Sequence, residues 1–507
     1  MSASRERKKR MTAEPQSAVK DTASKTKKLS DGILLAAAVI LVMAIVFGSI
    51  AVYRVHWNKT TVLTVGEHKI STVEFNYFFN STVTELVNSY GSYLSIIGLD
   101  TSAPLTEQNV PNTEEGAEPQ TWAAYLADSA KTRAVNYYTI YDDAVKNGFT
   151  LTQEQLDDID TQISTISTYA AIYGLTADKY VANMYGRGCD VDSYRDFLTL
   201  TQTYSAYIAS QTYSDSELAD RYAQDPTEFD RVSYQLYTAN ASSYAEKDED
   251  GNTKEVTDEN RASAKADAEA ILKDFQGEKI TDYSEQSKTY VTSAISEDAA
   301  NWMFGSSVKE GDVKMFEGEN VYYVAKFVSR TDNDYATVNA LQIFIKNDST
   351  DSTDSSSSSD SSSDSTVPKT AAEKLQAIED SLKEDASEEN FRKLITTYSD
   401  NKNSYSFTQA THKSISNQEV NEWLFNGKRT DGETKTFETS EGTYVVMFLN
   451  YDETYKNLLV SNALTNEWFE ALTKDVPYDY NAKAAMHANV DYAISDVFNL
   501  KSNTSAS

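Results

Sequence analysis

An internal repeat constrains the fold of this 507-residue chain more than any other feature. Residues 302–327 align without a gap with residues 423–448, at an offset of 121 positions. Nine of the aligned positions are identical, and each copy begins with a tryptophan, Trp302 or Trp423. Large aromatic residues at the same places in both copies predict one core that is built twice.

The repeat extends upstream with weaker similarity. The short strand predicted at residues 232–238 (VSYQLYT) matches residues 339–345 (NALQIFI). Residues 261–275 and 370–385 match as amphipathic helices, and 281–290 and 389–400 match as second helices. Each copy is therefore predicted as a strand, a polar insert, two helices, a loop, a further helix and a pair of strands.

Both copies carry a long polar insert between the first strand and the first helix. The Asp/Ser run at residues 347–368 lies inside the second copy, and residues 241–260 occupy the same place in the first. Segments this polar cannot bury enough apolar surface to fold, so we expect both to be mobile and 347–368 to be disordered. The predicted domains are then 228–332 and 335–451.

The chain before the repeats has helical periodicity. Residues 61–71 predict a strand–turn–strand, and residues 60–227 predict a helical domain. Thr152 and Ser214 are each followed three residues later by Gln or Glu, which predicts two capping boxes. We expect the amphipathic helix at 455–472 to return to this domain and complete it, leaving 473–507 as a C-terminal tail.

An apolar run at residues 33–53 has the length of a membrane span. Residues 1–32 are basic, so the positive-inside rule predicts a cytoplasmic N-terminus, a single-pass anchor in the cell membrane and an extracytoplasmic remainder. A cleaved signal peptide is the alternative, but such apolar regions are usually shorter. The net charge of −31 argues against nucleic acid as a partner, since phosphate backbones select basic surfaces.

At this point the residues resemble a known family. The order of elements, ending in EGDVKMFEGENVYYVAKFVSR (310–330), resembles parvulin-type peptidyl-prolyl isomerase domains. The segment TVLTVGEHKISTVEF (61–75) with its helical region resembles the N-terminal part of SurA- and PrsA-type extracytoplasmic chaperones. The expected fold class is α+β: one N-terminal transmembrane helix, a SurA-N-like helical domain and two tandem parvulin-like α/β domains with polar inserts.

The resemblance also shows what both copies lack. Active parvulins carry a histidine in the first strand and another in the last, and these positions match Gln235 and Tyr323 in the first copy and Gln342 and Tyr444 in the second. Tyr234 is the alternative match in the first strand, and it also supplies no histidine. The resemblance implies Phe304, Phe316, Phe425 and Phe437 as substrate-binding residues.

His412, Cys189 and the acidic segment 246–257 are not predicted to have a catalytic or metal-binding role. His412 is interpreted as a surface loop residue, and Cys189 as a small buried residue between helices. Residues 246–257 resemble part of a calcium loop but lack its last ligand, which favours a solvated turn. No cofactor and no metal site is predicted.

The sequence therefore predicts a membrane-anchored folding factor that binds unfolded or newly secreted polypeptides, with weakly active or inactive parvulin-like domains. Two alternatives remain open: an active prolyl isomerase that uses the glutamine and tyrosine positions, and a cell-envelope scaffold with one fixed partner. Oligomeric state is left open.

Overall fold

The computed structural model of the chain describes residues 57–111, 118–275, 279–348, 368, 370–403, 405–488 and 490–495. It divides into two compact units. Unit 1 comprises residues up to Gln211 together with those from Glu467 onward, and unit 2 comprises Thr212–Asn466. The described chain is of the mixed α+β class.

The first segment of unit 1 is a hairpin followed by five helices. These elements are β1 Thr61–Val65, β2 His68–Ser71, α1 Thr72–Tyr90, α2 Trp122–Lys146, α3 Gln153–Ile172, α4 Ala177–Tyr185 and α5 Val191–Ala209. The capping box predicted at Thr152 is confirmed: its side chain accepts from Gln155 N, and the Gln155 side chain accepts from the Thr152 backbone. Satisfying these otherwise unpaired donors sets where the helix begins.

Unit 2 contains both copies of the repeat. Its elements begin with α6 Asp215–Gln224, α7 Pro226–Phe229, β3 Arg231–Asn240, α8 Asp258–Lys273, β4 Thr281–Gln286, α9 Lys288–Ala294, α10 Glu297–Met303, β5 Val313–Glu317 and β6 Val321–Thr331. They continue with β7 Ala336–Lys346, α11 Ala371–Glu384, α12 Glu388–Tyr398, β8 Ser406–Ala410, α13 Gln418–Leu424, β9 Thr434–Glu438 and β10 Gly442–Thr454.

The second predicted capping box, at Ser214, lies at the start of α6 and is confirmed. Leu218 of α6 packs against Phe229 and Val460 within this unit.

The two copies build antiparallel sheets with the same strand order. The first sheet runs β4-β3-β6-β5 and the second β8-β7-β10-β9. Each sheet has a bulge at the same place, where Tyr234 lies opposite Phe327 and Ala340 lies opposite Phe448. Since Phe327 and Phe448 are equivalent in the repeat, Tyr234 and Ala340 are equivalent as well.

A strained backbone position also recurs in both sheets. Glu285 in β4 has a φ of 49° and Gln409 in β8 has a φ of 45°, in the left-handed region that side chains rarely adopt. The backbone N–H of each donates to a side chain on the first strand, to Ser233 Oγ at 3.2 Å and to Asn339 Oδ1 at 2.8 Å. This hydrogen bond stabilises the unusual turn in both copies.

The copies differ after their first helix. The second copy has two helices there, α11 and α12, whereas the first has only α8 before β4. The segment 281–290, matched by sequence with α12, forms strand β4 and the start of α9. Tyr283 pairs with Tyr234 across the sheet edge, and the two rings stack at 5.0 Å. The pairing of residues 281–286 with the edge of β3 therefore determines their structure, and the helix predicted from their alignment with residues 389–400 does not form there.

The insert at residues 241–260 has more structure than its composition predicts. Tyr244 lies in a short 3-10 helix, and its hydroxyl donates to Asp267 of α8 at 2.7 Å. Lys247 and Thr253 then form a β-bridge around a turn at Asp248. The insert is thus attached to the domain by this polar contact and by Ala241 and Val256, which pack in the apolar core beside α8. Most of the other insert, residues 349–367, lies outside the described residues.

The C-terminal part of the chain is not a tail. Helix α14, Tyr455–Thr473, is followed by β11 Tyr478–Tyr480 and α15 Ala482–Ala485. Strand β11 pairs with β1 and completes a three-stranded sheet in the order β11-β1-β2. Ala484, Ala485, Val490 and Ile494 are buried in the main core of unit 1. Without β11, one edge of β1 would leave its backbone N–H and C=O groups unpaired, so even a strand of three residues can pair there.

The predicted membrane anchor requires correction. Residues 33–53 lie outside the described residues, and no helix that the structure describes combines the length and apolar character of a bilayer span. Even α2, with 25 residues, carries Asp128, Lys131 and Arg133 along its length. The α+β class is therefore retained without a transmembrane helix, and the single-pass membrane location with a cytoplasmic N-terminus is withdrawn.

Candidate functional site

The two glutamines proposed at the parvulin histidine positions are not equivalent. Gln235 lies opposite Lys326, on the sheet face that packs against α8. Gln342 lies opposite Val446, whose side chain packs on the other face, with Trp423. The strand pairing makes Gln235 equivalent to Leu341, one residue before Gln342, and a one-residue shift moves a side chain to the opposite face of a sheet.

The two tyrosines are equivalent and occupy the same face in their sheets. Tyr323 lies opposite Phe316, and Tyr444 lies opposite Phe437. Both tyrosines are partly buried against the core that contains the tryptophan of their copy. The structure thus places Tyr444 and Gln342 on one face in the second copy, and separates Tyr323 from Gln235 in the first.

The four phenylalanines proposed for substrate binding are mainly core residues. Phe304, Phe316 and Phe437 are each at most 5% exposed, and Phe425 is partly buried. Phe316 and Phe437 contact the tryptophans of their copies at ring-centroid distances of 5.7 Å. A ligand could reach these rings only after rearrangement of the core, so their present role is packing.

His412 is more enclosed than a surface loop residue. Its ring lies 4.1 Å from the ring of Phe425 and 4.3 Å from that of Tyr335, between centroids. Nδ1 is 3.0 Å from Asn421 Oδ1, and Asn421 Nδ2 donates to the carbonyls of His412 and Ile415. Because the amide nitrogen is used in this way, Nδ1 must donate to Oδ1. The histidine therefore holds the start of α13 in place.

Cys189 is buried, as the sequence analysis predicts. Its side chain is 3% exposed, and burial raises the pKa of the thiol to about 11. Asn76 Nδ2 approaches the sulfur at 3.8 Å. Only the thiolate is nucleophilic, and this environment suppresses it.

We therefore expect the single cysteine to be almost unreactive in the folded chain. With a thiol pKa near 11 rather than roughly 8.5, alkylation at pH 7.5 should be at least about 100-fold slower than in urea-unfolded chain. The native rate should rise about tenfold per pH unit as the thiolate fraction increases. Mass spectrometry of iodoacetamide-treated protein measures both rates, and rapid native labelling at pH 7.5 would contradict the burial.

A groove in unit 1 is a candidate binding site. Its volume is about 500 Å³, and it lies between α1 and α2, with Tyr204 of α5 at one side. Clefts that bind ligands have volumes of roughly 300–1,000 Å³. Small residues such as Ser89 of α1 and Ser129 of α2 line the groove between larger side chains. Because these side chains are short, they leave space between the two helices.

Tyrosine rings dominate the apolar part of this groove. Tyr90 is 43% and Tyr125 is 42% exposed, whereas Tyr137 and Tyr204 stack on each other at 3.8 Å with an interplanar angle of 7°. Burial raises the pKa of the Tyr204 hydroxyl, so it stays protonated and can donate a hydrogen bond. The groove therefore offers ring faces together with hydroxyl groups.

Charges also line the groove. Arg133 of α2 forms an ion pair with Glu85 of α1, and the Glu85 side chain is 60% exposed. Pairs of this exposure contribute little to stability, so both groups are free to rearrange around a ligand. Just past the end of α1, Tyr93 and Ile96 are 64% and 75% exposed.

The sequence does not show which aromatic rings of unit 1 reach solvent. In FNYFFN (75–80), the residues Phe75, Tyr77, Phe78 and Phe79 are all at most 1% exposed and form core. The spacing of Tyr90 and Tyr125 contains no repeated pattern, and their proximity depends on how α1 packs on α2.

No group of three or more His, Cys, Asp or Glu side chains is placed to hold a metal ion in the part of the chain that the structure describes. In the calcium-like segment, Asp248 Oδ1 instead accepts the backbone N–H groups of Asp250 at 3.0 Å and Asn252 at 2.8 Å. That carboxylate closes a turn.

Comparison with known proteins finds similarity among solved structures, of which ten chains match. No family model matches the chain, and no curated protein matches it. Among solved structures, the chain is similar to one from the work "The virulence factor PEB4 and the periplasmic protein Cj1289 are two structurally related SurA-like chaperones in the human pathogen Campylobacter jejuni". The match has 13% identity and a TM-score of 0.15, and covers 54% of this chain and 82% of the other. A TM-score this low carries no argument about function, so this chain is similar to a SurA-like chaperone at most.

Proposed function

We propose that this chain is a folding factor that holds unfolded polypeptides in the groove between α1 and α2. The observation that carries the proposal is the set of half-exposed tyrosines, Tyr90 and Tyr125, beside the stacked pair Tyr137 and Tyr204. Rings of this kind bind apolar side chains through their faces and backbone groups through their hydroxyls. Neither contact requires a particular client sequence.

The form of the groove suits a weak and broad specificity. It is lined by both polar and apolar atoms and contains the ion pair of Arg133 and Glu85, whose side chains are 27% and 60% exposed. Association costs several kcal/mol of translational and rotational freedom before any affinity results. A few exposed rings offset only part of that cost, so we expect micromolar or weaker binding to single segments and gains from several segments of one client.

In this proposal the duplicated domains of unit 2 are parvulin-like in topology and act as structural parts rather than as isomerases. Supporting this, Gln235 and Tyr323 lie on different faces of their sheet, and the proposed substrate rings are in the core. Among the residues of the two copies that the structure describes, no feature specifically favours prolyl isomerisation, and none favours a scaffold with one fixed partner.

An aggregation assay tests the groove directly. We expect the double variant Tyr90→Ser/Tyr125→Ser to need about ten times more protein than the original chain to halve the light scattering of a denatured model client. Each ring is worth roughly 0.5–1.5 kcal/mol in aromatic contacts, and 1.4 kcal/mol corresponds to tenfold. Serine and tyrosine have similar helix propensities, so the helices should persist.

Tyr173→Ser is the matched control. Tyr173 is 41% exposed in the same unit, but it does not line the groove. Suppression of aggregation by this variant should equal that of the original chain. Equal loss in the control and the double variant would show that general surface aromaticity, rather than the groove, holds clients. An unchanged double variant would reject the groove as the binding site.

A further inference from the structure

A second cavity in unit 1 has a different character from the groove. Its volume is about 270 Å³, and residues of α1, α2 and α5 line it. Four of these are aromatic: Tyr77 and Phe78 from α1, Tyr138 from α2 and Phe197 from α5. None of the residues lining the cavity is a lysine or an arginine.

The rings pack in fixed orientations. Phe197 stacks on Tyr77, with centroids 5.0 Å apart at an angle of 16°, and meets Phe78 edge-on at 5.3 Å and 90°. Tyr138 is tilted toward Phe78 at 6.1 Å. Aromatic faces carry partial negative charge and attract cations, most strongly where water is excluded.

Two carboxylates complete the lining. Glu74 projects from the first turn of α1 and Asp196 from α5, and neither forms an ion pair within the residues that the structure describes. One oxygen of Glu74 accepts from the backbone N–H and the hydroxyl of Ser71 at 2.7 and 2.8 Å, which leaves its second oxygen for another donor. Burial, followed by these two carboxylates, raises the pKa of the Tyr138 hydroxyl. Both acids therefore lie near the same ring.

The half-buried Glu74 and the exposed Asp196, with no lysine or arginine in the lining, give the cavity an electrostatic preference for positive groups. Tyr77 and Phe78 are buried behind the cavity, so a positive group entering it would be attracted by both carboxylates and by the half-buried rings of Tyr138 and Phe197. A guanidinium group fits this lining better than an ammonium group. It is planar, stacks on aromatic rings, is weakly hydrated and can donate to two carboxylates at once.

We propose that this cavity binds the side chain of an arginine in a polypeptide that the protein holds. The source of the arginine rests on the proposed function, because the neighbouring groove would hold the rest of the segment. The two sites share their walls: Phe78 lines the cavity, and its ring meets Tyr137, which lines the groove, edge-on at 5.7 Å. The cavity would thus add a preference for arginine to a groove of broad specificity.

Titration of the full chain with N-acetyl-arginine methylamide, followed by NMR or calorimetry, tests the cavity without the groove. The citrulline analogue has nearly the same shape and no charge, and should bind at least tenfold more weakly. The lysine analogue should bind at least threefold more weakly than the arginine analogue. Equal binding of the arginine and citrulline probes, equal binding of the arginine and lysine probes, or no binding of the arginine probe would each overturn the assignment.

Charge-neutralising variants locate the site. Glu74→Gln retains an acceptor for the capping box, because glutamine can replace glutamate at this position. Together with Asp196→Asn, it should weaken arginine binding at least tenfold. Asp192→Asn changes the same charge on the same helix, outside the cavity lining, and should leave binding unchanged. A double variant that binds as the original chain does would overturn the proposal.

The two proposals fail in distinguishable ways. The groove variant Tyr90→Ser/Tyr125→Ser should still bind the arginine probe. If the probe does not bind while groove variants still impair aggregation suppression, only the arginine site is rejected. If the probe binds while groove variants have no effect on suppression, the holding function in the groove is rejected.

Discussion

Truncation of the chain after Thr473 is expected to abolish the cooperative folding of unit 1. The deletion removes β11, the only partner of β1 other than β2 among the described strands. It also removes Ala484, Ala485, Val490 and Ile494 from the core. Hydrogen exchange measured by mass spectrometry should show loss of protection throughout α1 and α2.

The size of this effect follows from buried area. Full burial of a valine or isoleucine side chain contributes roughly 1.5–3 kcal/mol, so Val490 and Ile494 together contribute about 3–6 kcal/mol. The alanines and the strand pairing add to this. Domains are usually stable by only about 5–15 kcal/mol, so the loss is comparable with the total.

Truncation after residue 495 is the matched control. It removes residues 496–507, none of which the structure describes, and should leave exchange in α1 and α2 unchanged. If truncation after Thr473 also left exchange unchanged, the C-terminal segment would be a tail, as its sequence predicts.

The second large effect is expected at Asp230, at the junction of α7 and β3. The Asp230 side chain is only 7% exposed, and it accepts from Arg330 Nε at 2.6 Å and from the Tyr222 hydroxyl at 2.6 Å. We expect Asp230→Ala to lower the free energy of unfolding of unit 2 by about 3 kcal/mol, because Arg330 and Tyr222 both lose their acceptor.

Urea titration followed by exchange in β3 and β6 measures this loss. Glu388→Ala is the control, since it breaks the pair with Arg392, in which both side chains are about half exposed. Exposed pairs of this kind are worth less than about 1 kcal/mol. Equal losses in the two variants would contradict a special role for the buried carboxylate.

The duplicated core is the part of the fold that the sequence predicts best. Trp302 and Trp423, with the aromatics that follow them, mark the same core twice, because a packed aromatic core tolerates few changes of size. The first strand is harder to align. The match of Gln235 with Gln342 is one residue out of register, and only the pairing of each first strand with the last strand of its copy, a contact between distant residues, shows this.

Other elements depend on partners that are distant in sequence. Residues Thr281–Gln286 form a strand because they pair with the free edge of β3. The sequence alignment of the two copies predicts a helix there, because it matches these residues with α12. Tyr478–Tyr480 is a strand because β1 needs a partner. The groove and the second cavity are equally non-local, since each is formed where α1, α2 and α5 meet. Periodicity detects a helix, but it does not show which neighbour the helix will pack against.

The division of unit 1 into two chain segments has a consequence for synthesis. The Tyr492 hydroxyl donates to Asn80 Oδ1 at 3.1 Å across 412 positions, so the unit cannot be completed until Tyr492 has left the ribosome. Within unit 2, the hydroxyl of Tyr213 donates to Thr465 Oγ1 at 3.1 Å, so folding of that unit brings its own two ends together. A folded unit 2 then replaces a loop of some 250 flexible residues with a short connection, which lowers the entropic cost of closing unit 1. Folding of unit 2 thereby assists the assembly of unit 1.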